Sequence, residues 1–257
     1  MDFPNSFEAL TGRRDAGSLT WRGPALVLFA RAAFAVGAQG IFAAVFAMRG
    51  SAGPWRDAEP WLPVYGTLVD GGCLALLWWS TRSEGMRVSE LIGFERKRLG
   101  RDVLLGIALI PVSLVLIIGG NYAASWLVYG TLTPAYLFGP LPLRAALYGA
   151  LVFPFVWGLV EQMTYNGYLL PRLQVLCRST SVAVMLVAFA WSMQHAFMPL
   201  TFDAKFMIYR TLSPLPFSVF ITLVYLRIRR LVPLATAHAL MDGASVVIGV
   251  LLPLLRR

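Results

Sequence analysis

Charged side chains are scarce in this chain. They make up 14% of its 257 residues, where soluble globular domains carry about 25%, which argues against a water-soluble domain. Histidine and cysteine are rarer still: there are two of each. Cys73 lies inside an apolar segment and Cys177 beside Arg178, so they form neither a disulfide framework nor a metal-type pair. Acidic residues are outnumbered, 13 against 22 lysines and arginines, giving a net charge of +9. No nucleic-acid partner is expected, because the basic residues fall between apolar runs rather than along one polar face. Repeats and low-complexity tracts are absent.

Apolar residues are what the chain has in excess, at 58% of the sequence. Runs of them recur from Pro24 onward, each bounded by charge or by Pro/Gly clusters, as helices crossing a hydrocarbon core of about 30 Å require. The expected fold is all-α, a polytopic transmembrane bundle of seven or eight spans. Residues 1–23 form a polar N-terminal segment and 24–257 a single membrane domain. The first apolar run is too long for a signal-peptide core, so it is expected to be a retained helix. Spans are predicted at Pro24 to Met48, Trp61 to Ser80, Val103 to Ile118, Ala145 to Leu170, Ser181 to Met198, Phe206 to Arg227 and Leu231 to Leu255. Tyr122 to Tyr129 could be an eighth helix, a re-entrant piece or an outer loop, ended by the Pro-rich run Phe138 to Pro142.

Lysines and arginines divide 14 against 6 between alternate loops, with Arg31 and Arg144 left inside or at the edge of helices. The richer set includes the N-terminus and the loops Thr81 to Asp102, Pro171 to Thr180 and Arg227 to Arg230, which places those in the cytoplasm. Within the first of these loops, Leu91, Ile92 and Phe94 next to Arg96, Lys97, Arg98 and Arg101 suit either a segment lying on the anionic leaflet or plain topogenic charge. The chain is expected to be an integral multi-pass protein, of the cell (inner or plasma) membrane if bacterial.

Ionisable groups at membrane depth cost several kcal/mol unless paired or hydrated, so each needs a partner or a purpose. The candidates are Arg31, Asp70, Glu161, His195, His238 and Asp242. Arg31 and Asp70 enter the first two helices from opposite directions and read as a buried structural ion pair. His238 and Asp242, four apart, share a helical face, as do Trp191 and His195. At about 1.5 Å per residue from the cytoplasmic ends, Glu161 lies roughly 16 Å deep, His195 about 22 Å and His238 about 12 Å. Tilt covers such differences, so three helices can bring a carboxylate and two imidazoles together. Those are the parts that activate water. Glu161, His195, His238 and Asp242 could equally ligate a divalent metal such as zinc, and spacing does not choose between the two.

The order and spacing of these groups resemble the CAAX-processing and bacteriocin-processing (CPBP, or ABI) family of intramembrane proteases. That family shows Glu-Glu-x-x-x-Arg, Phe-x-x-x-His and His-x-x-x-Asn or Asp on separate helices. Here the motifs read Glu161-Gln162-x-x-x-Asn166, Trp191-x-x-x-His195 and His238-x-x-x-Asp242, within a protease-like core at 145–250. The resemblance implies a helical bundle, usually of eight spans, around a hydrophilic cavity open to the membrane and the cytoplasmic side. It also implies that Glu161 with His195 activates the attacking water, while His238 and Asp242 stabilise the oxyanion or position the carbonyl. A CAAX prenyl endopeptidase-like activity on a hydrophobic or lipidated peptide in the bilayer follows from it. Gln162 and Asn166 stand where the family has Glu and Arg, and losing both together avoids an unpaired charge. Asp242, if ionised, would repel an oxyanion unless paired with His238, and it suits a metal ligand better. The competing functions are a non-catalytic scaffold or bacteriocin-immunity-type binding protein that keeps the cavity, and a small transporter with a proton relay.

Overall fold

Short polar side chains start several helices by accepting bonds from otherwise unpaired backbone N–H groups. Ser6 accepts from Ala9 N, Ser179 from Val182 N, and Asp203 from Lys205 N and Phe206 N. In the computed structural model, which describes residues 3–134 and 139–256, the chain is all-helical. In chain order the helices are α1 (Phe7–Asp15), α2 (Arg22–Met48), α3 (Pro54–Ala58), α4 (Leu62–Ser83), α5 (Leu99–Tyr129), α6 (Leu143–Leu151) and α7 (Phe153–Gln162). They continue with α8 (Leu170–Cys177), α9 (Thr180–Gln194), α10 (Ala204–Leu212), α11 (Leu215–Ile228), α12 (Leu231–Val246) and α13 (Leu252–Leu255). Six helical stretches are long and apolar enough to cross a membrane, and a seventh if α6 and the Phe153–Cys177 stretch, bent by 42°, count as one span.

The count among the described residues is therefore six or seven, and no separate eighth helix occurs at Tyr122 to Tyr129. Those residues are the last turns of α5, whose 31 residues continue through Pro111 and stop at Gly130, which adopts a left-handed conformation with φ 71°. The helix is about 46 Å long, so its end extends past a hydrocarbon core of about 30 Å. Of the Pro-rich run that follows, Phe138 lies outside the described residues. The predicted Ala145 to Leu170 span is broken after Leu151, because Pro154 cannot donate to the carbonyl four residues back. Between α7 and α8, Met163–Leu169 widens into a π-helical stretch. The predicted Phe206 to Arg227 span is likewise two helices, interrupted at Ser213 and Pro214.

Two regions expected outside the bundle pack into it. The N-terminal segment folds α1 against α8, with Leu10, Leu19 and Val175 forming a small buried cluster. Pro171 to Thr180, expected as a loop, is largely α8, and its Arg172 is fully buried. Glu84 holds Arg172 through Nε at 2.9 and 3.0 Å and Nη2 at 2.6 Å, while Nη1 donates to Asn5 Oδ1 at 2.9 Å. Asn5 in turn donates to Gly167 O at 2.7 Å, tying the N-terminal arm to the π-helical stretch. In the Ser83 to Asp102 loop, Leu91 is buried in the main core, whereas Phe94, Arg96, Lys97 and Arg98 are exposed. Only the latter part can lie on a leaflet.

The main core gathers Leu77, Tyr165, Leu169, Val187, Trp191, Ile221 and Leu234 from five elements. Glycine brings the site-bearing helices close together. A Cβ on Gly158 of α7 would meet Ala239 N of α12 at 3.0 Å, and one on Gly106 of α5 would meet Pro233 O of α12 at 2.6 Å. Helix α12 is thereby wedged between α5 and α7.

Candidate active site

Glu161 sits at the end of α7 and is fully buried. Its Oε1 accepts hydrogen bonds from Trp191 Nε1 and Gln194 Nε2, both on α9. Its Oε2 has no hydrogen-bond partner among the described residues. That oxygen faces Arg31 Nη2 at 3.8 Å and His238 Nε2 at 3.9 Å. Both distances are too long for a direct bond and short enough for one water to touch both sides.

Arg31 and Asp70 form the expected ion pair, Nη1 to Oδ1 at 2.9 Å, with side chains 0% and 1% exposed. Arg31 does more than that, however. Its Nε donates to Gln194 Oε1 at 3.0 Å, its guanidinium lies 4.2 Å over the Trp157 ring, and its Nη2 is the unpartnered group facing Glu161. One cation thus compensates two buried carboxylates, as charges in a low-dielectric interior require.

The two histidines are held differently. His195 Nδ1 lies 3.0 Å from Trp191 O and 3.3 Å from Ser192 O. Carbonyl oxygens only accept, so the neutral ring carries its proton on Nδ1 and leaves Nε2 free as a base. His238 has Nδ1 at 3.5 Å from Gln162 Nε2, and the Gln162 Oε1 accepts from Asn166 Nδ2 at 2.8 Å. An amide nitrogen only donates, so Nδ1 accepts and the ring proton sits on Nε2, toward Asp242 Oδ2 at 3.4 Å and toward Glu161. The sequence positions that depart from Glu and Arg are therefore an internally bonded amide pair, one helical turn apart. The pair carries no charge, and Asn166 Oδ1 is left without a partner among the described residues.

His195, His238 and Asp242 line a cavity of about 300 Å³ together with Trp191, Arg210 and Phe217. A smaller one of about 90 Å³, walled by Leu62, Phe153, Trp157 and Val246, shares the same polar residues. Glu161 lines neither, and approaches the larger cavity only past His238. The larger cavity reaches Asn121 and Pro134, toward the end of the bundle opposite the Arg96 to Arg98 turn. On the charge-derived orientation that is the outer side, whereas the resemblance implies a cytoplasmic opening.

Residues 143–244 match the family model described as type II CAAX prenyl endopeptidase Rce1-like. This part of the chain is similar to the Rce1-like family. The Rce1-like segment runs from α6 into α12 and carries Glu161, His195, Arg210, His238 and Asp242, while Arg31 and Asp70 come from outside it. No curated protein and no solved structure matches the chain. With this family match and its apolar helices, it is an integral multi-pass membrane protein.

Among the described residues no group of three or more His, Cys, Asp or Glu side chains is arranged to hold a metal ion. Glu161 is directed at tryptophan, glutamine and arginine donors, which compete with a cation instead of leaving room for one. Glu161, His195, His238 and Asp242 as placed do not fit a divalent metal, and no step below passes through one. Gln194 and Arg210 were missed by motif reading. The loop count of charges places Arg210 outside the membrane, whereas it lies in α10, on the cavity wall.

Proposed function

We propose that this protein is an intramembrane endopeptidase of the CAAX type, hydrolysing a peptide bond with water activated by Glu161 and His195. The observation that carries this reading is Glu161 Oε2, a buried carboxylate oxygen left without a donor beside His238 at 3.9 Å. Buried acceptors are rarely left unbonded, and a water placed there, between Glu161 and His238, would be polarised by the carboxylate.

In the reaction the water oxygen bonds to the carbonyl carbon. Its proton passes to the base formed by Glu161 and His195, whose Nε2 is the unprotonated nitrogen on the cavity wall. Collapse of the tetrahedral intermediate breaks the C–N bond, and the same proton goes to the departing nitrogen. Arg31 keeps Glu161 ionised between turnovers, while Trp191 and Gln194 fix the orientation of its carboxylate. His238, with its Nε2 proton directed at Asp242 and Glu161, orders the water and the substrate carbonyl. The substrate is a hydrophobic or lipidated peptide that reaches the cavity from the bilayer.

The test is hydrolysis of hydrophobic peptides, with and without a C-terminal prenyl group, by purified protein in proteoliposomes. Glu161→Gln and His195→Ala are each expected to lower turnover by about 10²- to 10⁴-fold, the usual contribution of a positioned base. Undiminished turnover in Glu161→Gln would refute the assignment. The uncharged Gln162–Asn166 pair supports a second reading, a binding protein that keeps the cavity without the chemistry. Peptide binding with no hydrolysis by the wild type would favour it.

A further inference from the structure

Arg210 has no role in the motifs, yet it occupies the most polar part of the molecule's interior. His195, Arg210, His238, Asp242 and Ser245 line both the larger and the smaller cavity, so they form the neck between them. Arg210 uses Nη2 to donate to Met198 O at 3.3 Å, while its buried Nε has no hydrogen-bond partner among the described residues. None of the ion pairs among the described residues includes Arg210, which is half-buried, in contrast to the fully buried Arg31 and Arg172. A guanidinium presents five donors in a fixed fork and stays charged. Leaving part of that fork unused in an apolar bundle makes sense if something anionic arrives there.

The geometry points to Arg210 as the group that stabilises the oxyanion during peptide hydrolysis, and this inference rests on the function proposed above. As water's oxygen bonds to the carbonyl carbon, the C=O pair moves onto oxygen, and that charge needs a preorganised donor. Asp242 cannot supply it, since a carboxylate repels an oxyanion and is here directed at His238 Nε2 at 3.4 Å. The charged and titratable groups around the neck are His195, His238, Asp242 and Arg210. Of these, His195 is the proton acceptor, His238 faces Asp242, and the remaining permanent cation is Arg210. A peptide carbonyl lying across the neck, with one flanking residue in each cavity, places its oxygen beside the part of the Arg210 guanidinium that lines the cavities.

The test pairs kinetics with binding of a phosphinate peptide, an anionic tetrahedral analogue of the intermediate. Arg210→Gln is expected to lower kcat by about 10²- to 10³-fold with little change in KM, the usual cost of removing one oxyanion donor. It should weaken phosphinate binding by about 100-fold and substrate binding by less than about threefold. Arg210→Lys, which keeps the charge without the fork, should recover part of both and reports on the same question if the glutamine variant folds poorly. A rise in KM confined to peptides with a free C-terminal carboxylate, with kcat unchanged, would overturn the proposal and make Arg210 a carboxylate anchor. Equal loss of phosphinate and substrate binding would also overturn it. Glu161→Gln should bind the phosphinate as tightly as wild type does while failing to hydrolyse peptide. An active Glu161→Gln protein would defeat the base assignment and leave the Arg210 result readable.

Discussion

Asn166 Nδ2 donates to Gln162 Oε1 at 2.8 Å, and that bond decides which end of the Gln162 amide faces His238. With the carbonyl engaged, the NH₂ group meets His238 Nδ1 and the ring proton moves to Nε2. Gln162→Glu would place an acceptor opposite Nδ1 and reverse the tautomer, and Asn166→Arg alone would bury an unpaired cation. The double substitution, which restores the family's Glu and Arg, is expected to recover melting temperature and hydrolysis relative to either single change, with a coupling of about 1–2 kcal/mol. Simple additivity of the two single effects would show that the pair does not act as a unit.

Much of this arrangement was legible because a polar residue in an apolar helix stands out. Arg31 with Asp70, and Glu161 with His238, were readable from depth and spacing, and the bundle brings each pair close, while His195 lines the cavity that Glu161 does not. Other parts were hidden for identifiable reasons. Arg172 looks like a loop charge until Glu84, 88 residues earlier, closes on it. Hydropathy registers Gln194 as a mild interruption, with no sign that its amide joins Arg31 to Glu161. The end of α5 was ambiguous because Gly119, Gly120 and Asn121 look like a break. In the fold Gly120 instead lets α5 approach the Ser213 backbone closely. Periodicity records what a helix presents, and these features depend on what another helix brings to it.

Gly158 offers a test of how closely α7 and α12 must approach. A methyl group there would meet Ala239 N at 3.0 Å and Ala235 O at 3.4 Å, both backbone atoms that cannot rotate away. Gly158→Ala is expected to push α7 from α12 and lengthen the gap between Glu161 and His238. Crowding of a packed interior costs about 1–3 kcal/mol. Hydrolysis should fall by more than the loss of folded protein explains, as read from activity per folded molecule across a melting series. Activity that simply tracks the folded fraction would separate helix spacing from chemistry.

Arg31 neutralises Asp70 and Glu161 at once, so its removal leaves two carboxylates facing apolar surroundings. Arg31→Met is expected to destabilise the bundle by about 3–5 kcal/mol, the usual result of breaking a buried pair from one side. Arg31→Met combined with Asp70→Leu should be milder for stability, because only Glu161 then lacks its cation, yet should remain inactive. Thermal melting in detergent with parallel peptide hydrolysis checks both points. Restored activity in the double variant would mean that Arg31 serves Asp70 alone.

Glu161 is surrounded by hydrogen-bond donors and a guanidinium, an environment that holds a carboxylate and a water in preference to a divalent cation. Prolonged dialysis against EDTA is therefore expected to leave peptide hydrolysis unchanged, and elemental analysis should find well under one zinc per chain. Loss of activity on chelation that returns with added zinc, together with about one bound metal per chain, would place a metal at the site. Such an ion would need three or four N/O ligands, so side chains would have to move from the positions they hold here.

The cavity and the basic loops lie toward opposite ends of the bundle, which makes orientation measurable. Its wall includes Asn121 and Pro134 beyond the middle of α5, whereas Arg96, Lys97 and Arg98 precede the start of that helix. Basic loops remain on the cytoplasmic side, so Thr131, which is exposed, should face outward with the mouth of the cavity. In a Cys177→Ala background, where the remaining Cys73 is buried, Thr131→Cys should react with a membrane-impermeant thiol reagent added to intact cells. Lys97→Cys should react only after permeabilisation. The reverse pattern would place the cavity on the cytoplasmic side, as the family resemblance implies. It would also mean that the exposed Arg96 to Arg101 cluster does not set the topology. Either labelling pattern identifies the compartment from which a soluble product of cleavage would leave.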